Sequence, residues 1–286
     1  MKFHVVIAMY NAAQWIQENI RMLQQQTHTD FQCILIDDIS TDNTPNIVRK
    51  LIQSDRRFKL IVNKEKKYKT RNVVEGIEYA GPDNEDVVVL VDGDDMLADR
   101  DVLSKLTRVY EDNDCWMTYG SYANSAGVRD AICYSYDRKV INKNTYRSSR
   151  WLASHLKTFK YKLWKQLDMN IFHIADHEIK KALRRALFKG QFRKWLHWRK
   201  IKSPDLHDSS GKYIRRVDDK AFTYPMLEMA GEKAVFIEDI LYIYRSERGE
   251  GVEDDNYGEG KSEKWHTRLI RDILLYKPSY PRLTEL

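Results

Sequence analysis

Nine residues constrain this chain more than any others. Val87-Val88-Val89-Leu90-Val91 is an unbroken, mostly β-branched apolar run, and it ends in Asp92-Gly93-Asp94-Asp95. A run of this length bounded by polar residues predicts a strand buried on both faces, like the inner strands of a parallel sheet. The three carboxylates then fall together at the carboxyl end of the strand, where an open α/β sheet binds its ligands. Anions gathered so closely repel one another, and a bound cation relieves that repulsion. Oxygen-only ligands around a flexible glycine suit Mg2+ or Mn2+ better than Zn2+. The nine residues alone leave an ordinary Asp-rich turn equally open, because Asp and Gly are common turn formers.

Around that strand the first half of the chain alternates between two periodicities. Phe3 to Ala8, Phe31 to Ile36 and Phe58 to Val62 read as short apolar strands, and Trp116 to Tyr119 as a later one. Asn11 to Gln26 has helical spacing through Trp15, Ile16, Ile20 and Leu23, and Arg71 to Ala80 and Val102 to Tyr110 are helical too. Pro45 suits the first turn of a helix that Thr44 would cap, running on through Ile47, Val48, Leu51 and Ile52. Repeated β-α-β units with apolar strands predict an α/β fold, a Rossmann-like, doubly wound and mostly parallel sheet. Its post-strand loops converge on one crevice, bringing together Met9-Tyr10-Asn11, Asp37-Asp38 and the acidic loop. A stacking aromatic, an accepting carboxylate and a metal-binding loop are what a nucleoside diphosphate needs. No Gly-x-Gly-x-x-Gly or Walker-type loop follows the first strand, so a metal would have to neutralise the phosphates. Gly249-Glu250-Gly251 and Gly258-Glu259-Gly260-Lys261 lie far down the chain and read as loops.

The net charge of +6 suggests a nucleic-acid binder until it is localised. Ten lysines and arginines stand between Lys180 and Lys202 with no acid among them, and without those ten the rest of the chain carries −4. The basicity belongs to one segment. The cysteines, Cys33, Cys115 and Cys133, are odd in number and lack metal-ligand spacing, which fits a reducing cytoplasm. No apolar stretch is long enough to span a bilayer, and the opening residues read as a strand instead of a signal peptide.

From Val5 to Asp95 the chain resembles a family 2 glycosyltransferase of the GT-A fold, including bacterial surface-polysaccharide and lipopolysaccharide enzymes. The likeness is carried by Val5-Val6-Ile7-Ala8-Met9-Tyr10-Asn11, Gln25-Gln26-Thr27, Ile36-Asp37-Asp38-Ile39-Ser40-Thr41-Asp42-Asn43-Thr44, Thr70-Arg71-Asn72 and Val91-Asp92-Gly93-Asp94-Asp95, in that order. It implies that Tyr10 and Asp38 contact the nucleobase and that Arg71 lies near the base or ribose. It also implies that Asp92 and Asp94 hold the nucleotide sugar, with Asp94 and Asp95 on Mn2+ or Mg2+. Met9 departs from the family's usual proline, a difference that touches a backbone turn more than the chemistry.

The second half must supply a base and an acceptor site. A transferase that inverts the anomeric carbon needs a carboxylate to take the acceptor hydroxyl's proton. Asp218 and Asp219 open a helix whose Phe222, Met226 and Met229 face inward, and by residue pattern alone they are ordinary partners of the helix dipole. The resemblance assigns more: Asp219 takes the position of the family's catalytic base and Asp218 that of the acid before it. The likeness continues through Ala234 to Arg245 and through Ser154-His155-Leu156-Lys157-Thr158-Phe159, where it places His155 near the diphosphate and acceptor. A structural role for His155 stands beside that reading.

Residues 168–204 read as a basic helical insertion. His173 and His177 have zinc-like i, i+4 spacing but no third ligand, and read as partly exposed histidines on a helix. Phe188, Phe192 and Trp195 fall on one helical stripe amid the cations, with Gly190 breaking the helix in two. Such a stretch can lie peripherally on an anionic membrane, bind a phosphorylated acceptor, dock a partner, or pack on its own domain. Glu263 to Tyr276 reads as a C-terminal helix with Trp265, Leu269, Ile273 and Tyr276 on one face.

The expected architecture is therefore a nucleotide-sugar-binding half, 1–120, and an acceptor and catalytic-base half, 121–286. The expected activity is metal-dependent, inverting transfer of a hexosyl group from a nucleotide sugar, a UDP-sugar first, to a glycan or glycolipid hydroxyl. The alternatives are a sugar nucleotidyltransferase, against which the missing glycine- and lysine-rich loop counts, and a nucleic-acid or anionic-surface binder acting through 180–202, which leaves the acidic loop unexplained.

Overall fold

A computed structural model describes residues 1–245 and 263–286. Gly249-Glu250-Gly251 and Gly258-Glu259-Gly260-Lys261, read above as loops, lie outside the described residues. The first half of the chain forms β1 (Phe3–Met9), α1 (Ile16–Gln24), β2 (Phe31–Asp37), α2 (Thr44–Ile52), β3 (Phe58–Val62), α3 (Tyr68–Ala80), β4 (Val87–Asp92), β5 (Met96–Leu97) and α4 (Val102–Asp112). The second half adds β6 (Met117–Asn124), α5 (Arg138–Asn142), β7 (Lys157–Lys160), α6 (Tyr161–Trp164), α7 (Asp176–Phe188), α8 (Phe192–Trp198), α9 (Ser203–Leu206), α10 (Asp218–Ala230), β8 (Ala234–Tyr244) and α11 (Glu263–Tyr276).

All eight strands join one sheet in the order β3, β2, β1, β4, β7, β6, β8, β5. The pairs β1 with β2, β1 with β4, β2 with β3, and β6 with β8 are parallel. Strand β7 runs antiparallel to both β4 and β6, and β5 antiparallel to β8. The apolar run of β4 thus lies at the centre of a mixed, mostly parallel sheet. Alternation along β1 divides the core. Phe3, Val5 and Ile7 face α1, α2 and α4, while Val6 faces α3 on the other side. Residue 120, the expected boundary between the halves, falls within β6, and the sheet is continuous through both.

Several element boundaries differ from expectation, each for a local reason. The first helix begins at Ile16, not Asn11, because Asn11 takes φ +50°. The amides of Asn11, Ala12 and Ala13 donate instead to the side chains of Ser40, Thr44 and Asp42. Thr44 is the first helical residue of α2 rather than its cap, with its hydroxyl donating to Asp42 at 2.5 Å. His173 and His177 do not share a helix. Helix α7 opens at Asp176, with the Glu178 carboxylate accepting from the Ala175 amide. His173 lies before it and stacks on His207, 4.6 Å between ring centroids.

Helix α11 buries Leu269 and Ile273 of its expected face together with Ile270 and Leu274, whereas Tyr276 is half exposed. The Tyr276 ring lies beneath the Arg185 guanidinium, 4.0 Å away, and Arg185 pairs with Asp272 at 2.5 Å, fastening α7 to α11. A second fastening is buried. Arg147 Nε and Nη2 donate to Glu228 at 2.6 and 2.9 Å, and the Tyr280 amide donates to the same carboxylate at 3.0 Å. Among the described residues, no helix is long and apolar enough to cross a membrane.

Candidate functional site

Strand register sets the site. Met9 of β1 lies beside Asp37 of β2, and Ala8 beside Asp92 of β4, so three strands end on one line. The order β3, β2, β1, β4 puts the change of winding direction between β1 and β4, the position at which doubly wound sheets hold ligands. Tyr10, Asp38 and the acidic loop leave the sheet at this edge.

The acidic loop turns tightly against β1. A Cβ on Gly93 would lie 2.5 Å from the Met9 Cβ and 3.1 Å from its Cα, so no other residue fits unless the loop moves. One oxygen from each of Asp92, Asp94 and Asp95 lies within 4.8 Å of the others, a grouping able to hold a divalent cation. Asp95 is buried, accepting from the Tyr242 hydroxyl at 2.8 Å and the Arg245 amide at 2.9 Å. Burial, reinforced by the Asp92 charge, pushes Asp95 up to about 7. Asp92 goes the other way. Burial opposes its ionisation, but the charges of Lys69 and Lys157 more than offset that and hold it at about 2. Tyr242 also accepts from the Asp92 amide at 3.1 Å, so one phenol braces both ends of the loop.

The far wall of the crevice comes from the second half of the chain. Because β7 is antiparallel to β4, with Lys157 opposite Leu90, the residues just before β7 arrive beside Asp92. His155 stacks on Tyr242 with centroids 4.6 Å apart and planes at 10°, and burial, aided by Lys157, keeps its imidazole neutral. Helix α10 is almost entirely buried, so its first turn projects into the crevice from beneath. Asp92, Lys69, His155, Lys157, Asp218 and Asp219 consequently line one cavity. Burial raises Asp218 to about 6, with Asp219 and Asp92 adding to the effect.

The remaining expected residues cluster beside the loop between β3 and α3. The buried Asp38 carboxylate accepts from the amides of Lys67 and Tyr68 at 2.8 and 2.9 Å and from Asn63 Nδ2 at 2.9 Å. It thereby shapes the loop in which Tyr68 takes φ +61°. Lys66 lies over the Tyr10 ring, 3.0 Å from its centroid. Arg71 pairs with Glu75 at 2.6 Å, Glu65 at 3.0 Å and Asp208 at 3.3 Å.

Lys69, Tyr242 and Asp208 belong to the site but do not stand out in the sequence. Lys69 directly precedes Thr70-Arg71-Asn72, and Tyr242 and Lys157 lie inside segments already singled out, so position in those blocks was the available signal. Asp208 carried none: it meets Arg71 across 137 residues.

The profile of Glycosyl transferase family 2 matches residues 4–189 of the chain. Over 245 residues the chain is 24% identical to "Glycosyltransferase GlyG" of Streptococcus pneumoniae serotype 4, covering 86% of this chain and 71% of that protein. An uncharacterized glycosyltransferase of Haemophilus influenzae is 31% identical over 121 residues, covering 42% of this chain and 46% of its own length. Among solved structures, S. aureus TarS 1–349 in complex with UDP-GlcNAc superposes with a TM-score of 0.61 at 17% identity, covering 96% of this chain and 67% of that one. The mannosyltransferase PcManGT from Pyrobaculum calidifontis, in complex with GDP-Man and Mn2+, superposes at 0.52 with 15% identity, covering 96% and 69%.

Proposed function

The chain belongs to glycosyl transferase family 2 and has the GT-A fold, and on that premise we propose that it transfers a hexosyl group from a UDP-sugar to a hydroxyl of a glycan or glycolipid, inverting the anomeric carbon. The observation that carries this reading is that Asp92, at the end of β4, and Asp219, at the start of α10, open on one cavity. The matched family segment ends at residue 189, so the case for Asp219 rests on this geometry.

Within that reading, 1–120 binds the donor and 121–286 supplies the base and acceptor surface. Tyr10, Asp38 and Arg71 border the nucleoside, and Asp92 and Asp94 hold the ribose and sugar side. The acidic loop fits a divalent cation, because its donors are all oxygen and a cation would relieve the burial and the Asp92 repulsion that raise Asp95. Held by Asp94 and Asp95, Mn2+ or Mg2+ would offset the charge that develops on the departing diphosphate. TarS with UDP-GlcNAc and PcManGT with GDP-Man and Mn2+ support a nucleotide-sugar donor and a metal.

The acceptor hydroxyl attacks the anomeric carbon as the bond to the diphosphate oxygen breaks, and its proton passes to the Asp219 carboxylate. Asp219 is half-buried and lies close to the ammonium groups of Lys157 and Lys220. His155, neutral and stacked on Tyr242, borders the diphosphate and acceptor side together with Asp218.

Calorimetric titration of UDP with and without Mn2+, beside an Asp94→Ala, Asp95→Ala variant, tests the donor site. Metal-dependent binding that disappears in the variant supports it, and absence of nucleotide binding under all conditions overturns it. Proton NMR of the product tests inversion, which retention of the donor configuration would exclude.

A further inference from the structure

The α7–α8 corner presents apolar side chains outward. Helix α7 buries Ile179, Ala182 and Ala186, and α8 buries Trp198. The residues around the Gly190 turn point away from that core: Phe188 is 95% exposed, Phe192 63%, Leu196 49% and Leu187 41%. The expected stripe of Phe188, Phe192 and Trp195 is therefore not a packing face; Trp195 is only partly covered and the two phenylalanines are in solvent. Protruding phenylalanines beside leucines need a reason, because leaving them in water forfeits their transfer free energy.

The charge around them is equally one-sided. Lys180, Lys181 and Arg184 lie on the exposed face of α7 that ends in Leu187 and Phe188, and Arg193, Arg199 and Lys200 are exposed along and just past α8. Of the ten cations from Lys180 to Lys202, only Arg185 forms an ion pair among the described residues. Helices of 13 and 7 residues are too short to cross a bilayer, but they can lie along its surface.

From these features we infer that the α7–α8 corner docks the protein on an anionic lipid bilayer, with Phe188, Phe192 and their leucine neighbours entering the interface and the flanking cations meeting lipid phosphates. Charge complementarity selects an anionic surface, and the protruding side chains select lipid over nucleic acid. Leu187 and Leu196 protrude beside the phenylalanines and offer no π-face on which a base could stack, whereas a bilayer interior takes leucine and phenylalanine alike.

Co-sedimentation of the full chain with vesicles tests it, using phosphatidylcholine and phosphatidylglycerol in equal parts against phosphatidylcholine alone at physiological ionic strength. Binding to the mixed vesicles and not to the neutral ones is expected. Phe188→Ser with Phe192→Ser should weaken it about tenfold or more. Lys180→Glu, Lys181→Glu and Arg184→Glu together should do the same. Since all five side chains are exposed, thermal denaturation of both variants should match the wild type. The proposal is overturned if mixed vesicles do not retain the protein, if neutral vesicles retain it equally, or if the phenylalanine variant binds like the wild type. Stronger, salt-sensitive binding to an oligonucleotide than to mixed vesicles would overturn it in favour of nucleic acid.

Discussion

The ammonium group of Lys69 lies 2.6 Å from the carboxylate of Asp92, joining the first turn of α3 to the end of β4. Both side chains are partly covered, so the pair falls between an exposed ion pair, worth about 0–1 kcal/mol, and a buried one whose rupture costs roughly 3–5 kcal/mol. Lys69→Met should therefore lower stability by about 1–2 kcal/mol. It should also weaken UDP binding, because Asp92 loses the first of the charges that keep it ionised. Denaturant titration and calorimetry measure the two effects separately. Unchanged UDP binding would show that Lys69 is only a brace.

Asp219→Asn keeps the shape of the α10 terminus and removes the proton acceptor. Turnover should fall by roughly 10²–10⁴, the range for losing a general base, with UDP affinity within about twofold of wild type. Asp218→Asn should cost less, since burial already favours the protonated form of that carboxyl. Steady-state rates beside UDP calorimetry decide it, and equal losses in the two variants would reassign the base.

Gly93→Ala forces a Cβ against Met9 of the central strand. Overpacking of this kind costs about 1–3 kcal/mol, and here it acts on the loop that carries Asp92, Asp94 and Asp95. Metal-dependent UDP binding should fall by more than the stability loss alone would produce. Comparing titrations well below the thermal midpoint separates the two effects.

His4 is fully buried in β1. Its Nε2 faces the Asp86 carboxylate at 2.7 Å and its Nδ1 faces the Gln32 amide at 2.7 Å, so the neutral ring donates from Nε2 and accepts at Nδ1. Burial lowers its pKa below 6.5, although Asp86 opposes the shift. In the unfolded chain the imidazole titrates near 6.5, so below that pH the unfolded state binds more protons and stability falls. The stability difference between wild type and His4→Gln should be level above neutral pH and shrink on acidification below 6.5, by at most about 1.4 kcal/mol per pH unit. Urea melts of both proteins at several pH values test this; parallel curves would exclude it.

Arg147 and Glu228 form a nearly water-free pair that also receives the Tyr280 amide. Arg147→Met leaves the Glu228 charge buried, at a cost of roughly 3–5 kcal/mol. The double change Arg147→Met, Glu228→Gln should recover part of that loss. Thermal or denaturant melts give both numbers, and a single variant as stable as wild type would show that the pair is not needed.

What could be read in advance follows the range over which each feature is determined. The β4 run, its acidic end and the acidic first turn of α10 are local patterns, and each stands where the sequence puts it. Features fixed by contact across the chain were not legible. The Tyr242 hydroxyl meets Asp95 from 147 residues away, and Asp208 reaches Arg71 from 137. The His173 and His177 spacing misled because the Glu178 carboxylate opens α7 after His173. The apolar residues at 188 and 192 have helical spacing, yet periodicity does not say which face of a helix is covered. Here Ala182, Ala186 and Trp198 took the inner face.

The central position of β4 also orders events during synthesis. Its partners are β1, made long before it, and β7, which ends at Lys160. Until that segment leaves the ribosome, the four-stranded parallel unit of β3, β2, β1 and β4 presents the apolar Val87–Asp92 strand as an open edge. Such an edge pairs readily with another chain. Chains that stop short of β7 should therefore aggregate more readily than the full sheet, because the strand that arms the site then has an uncovered edge.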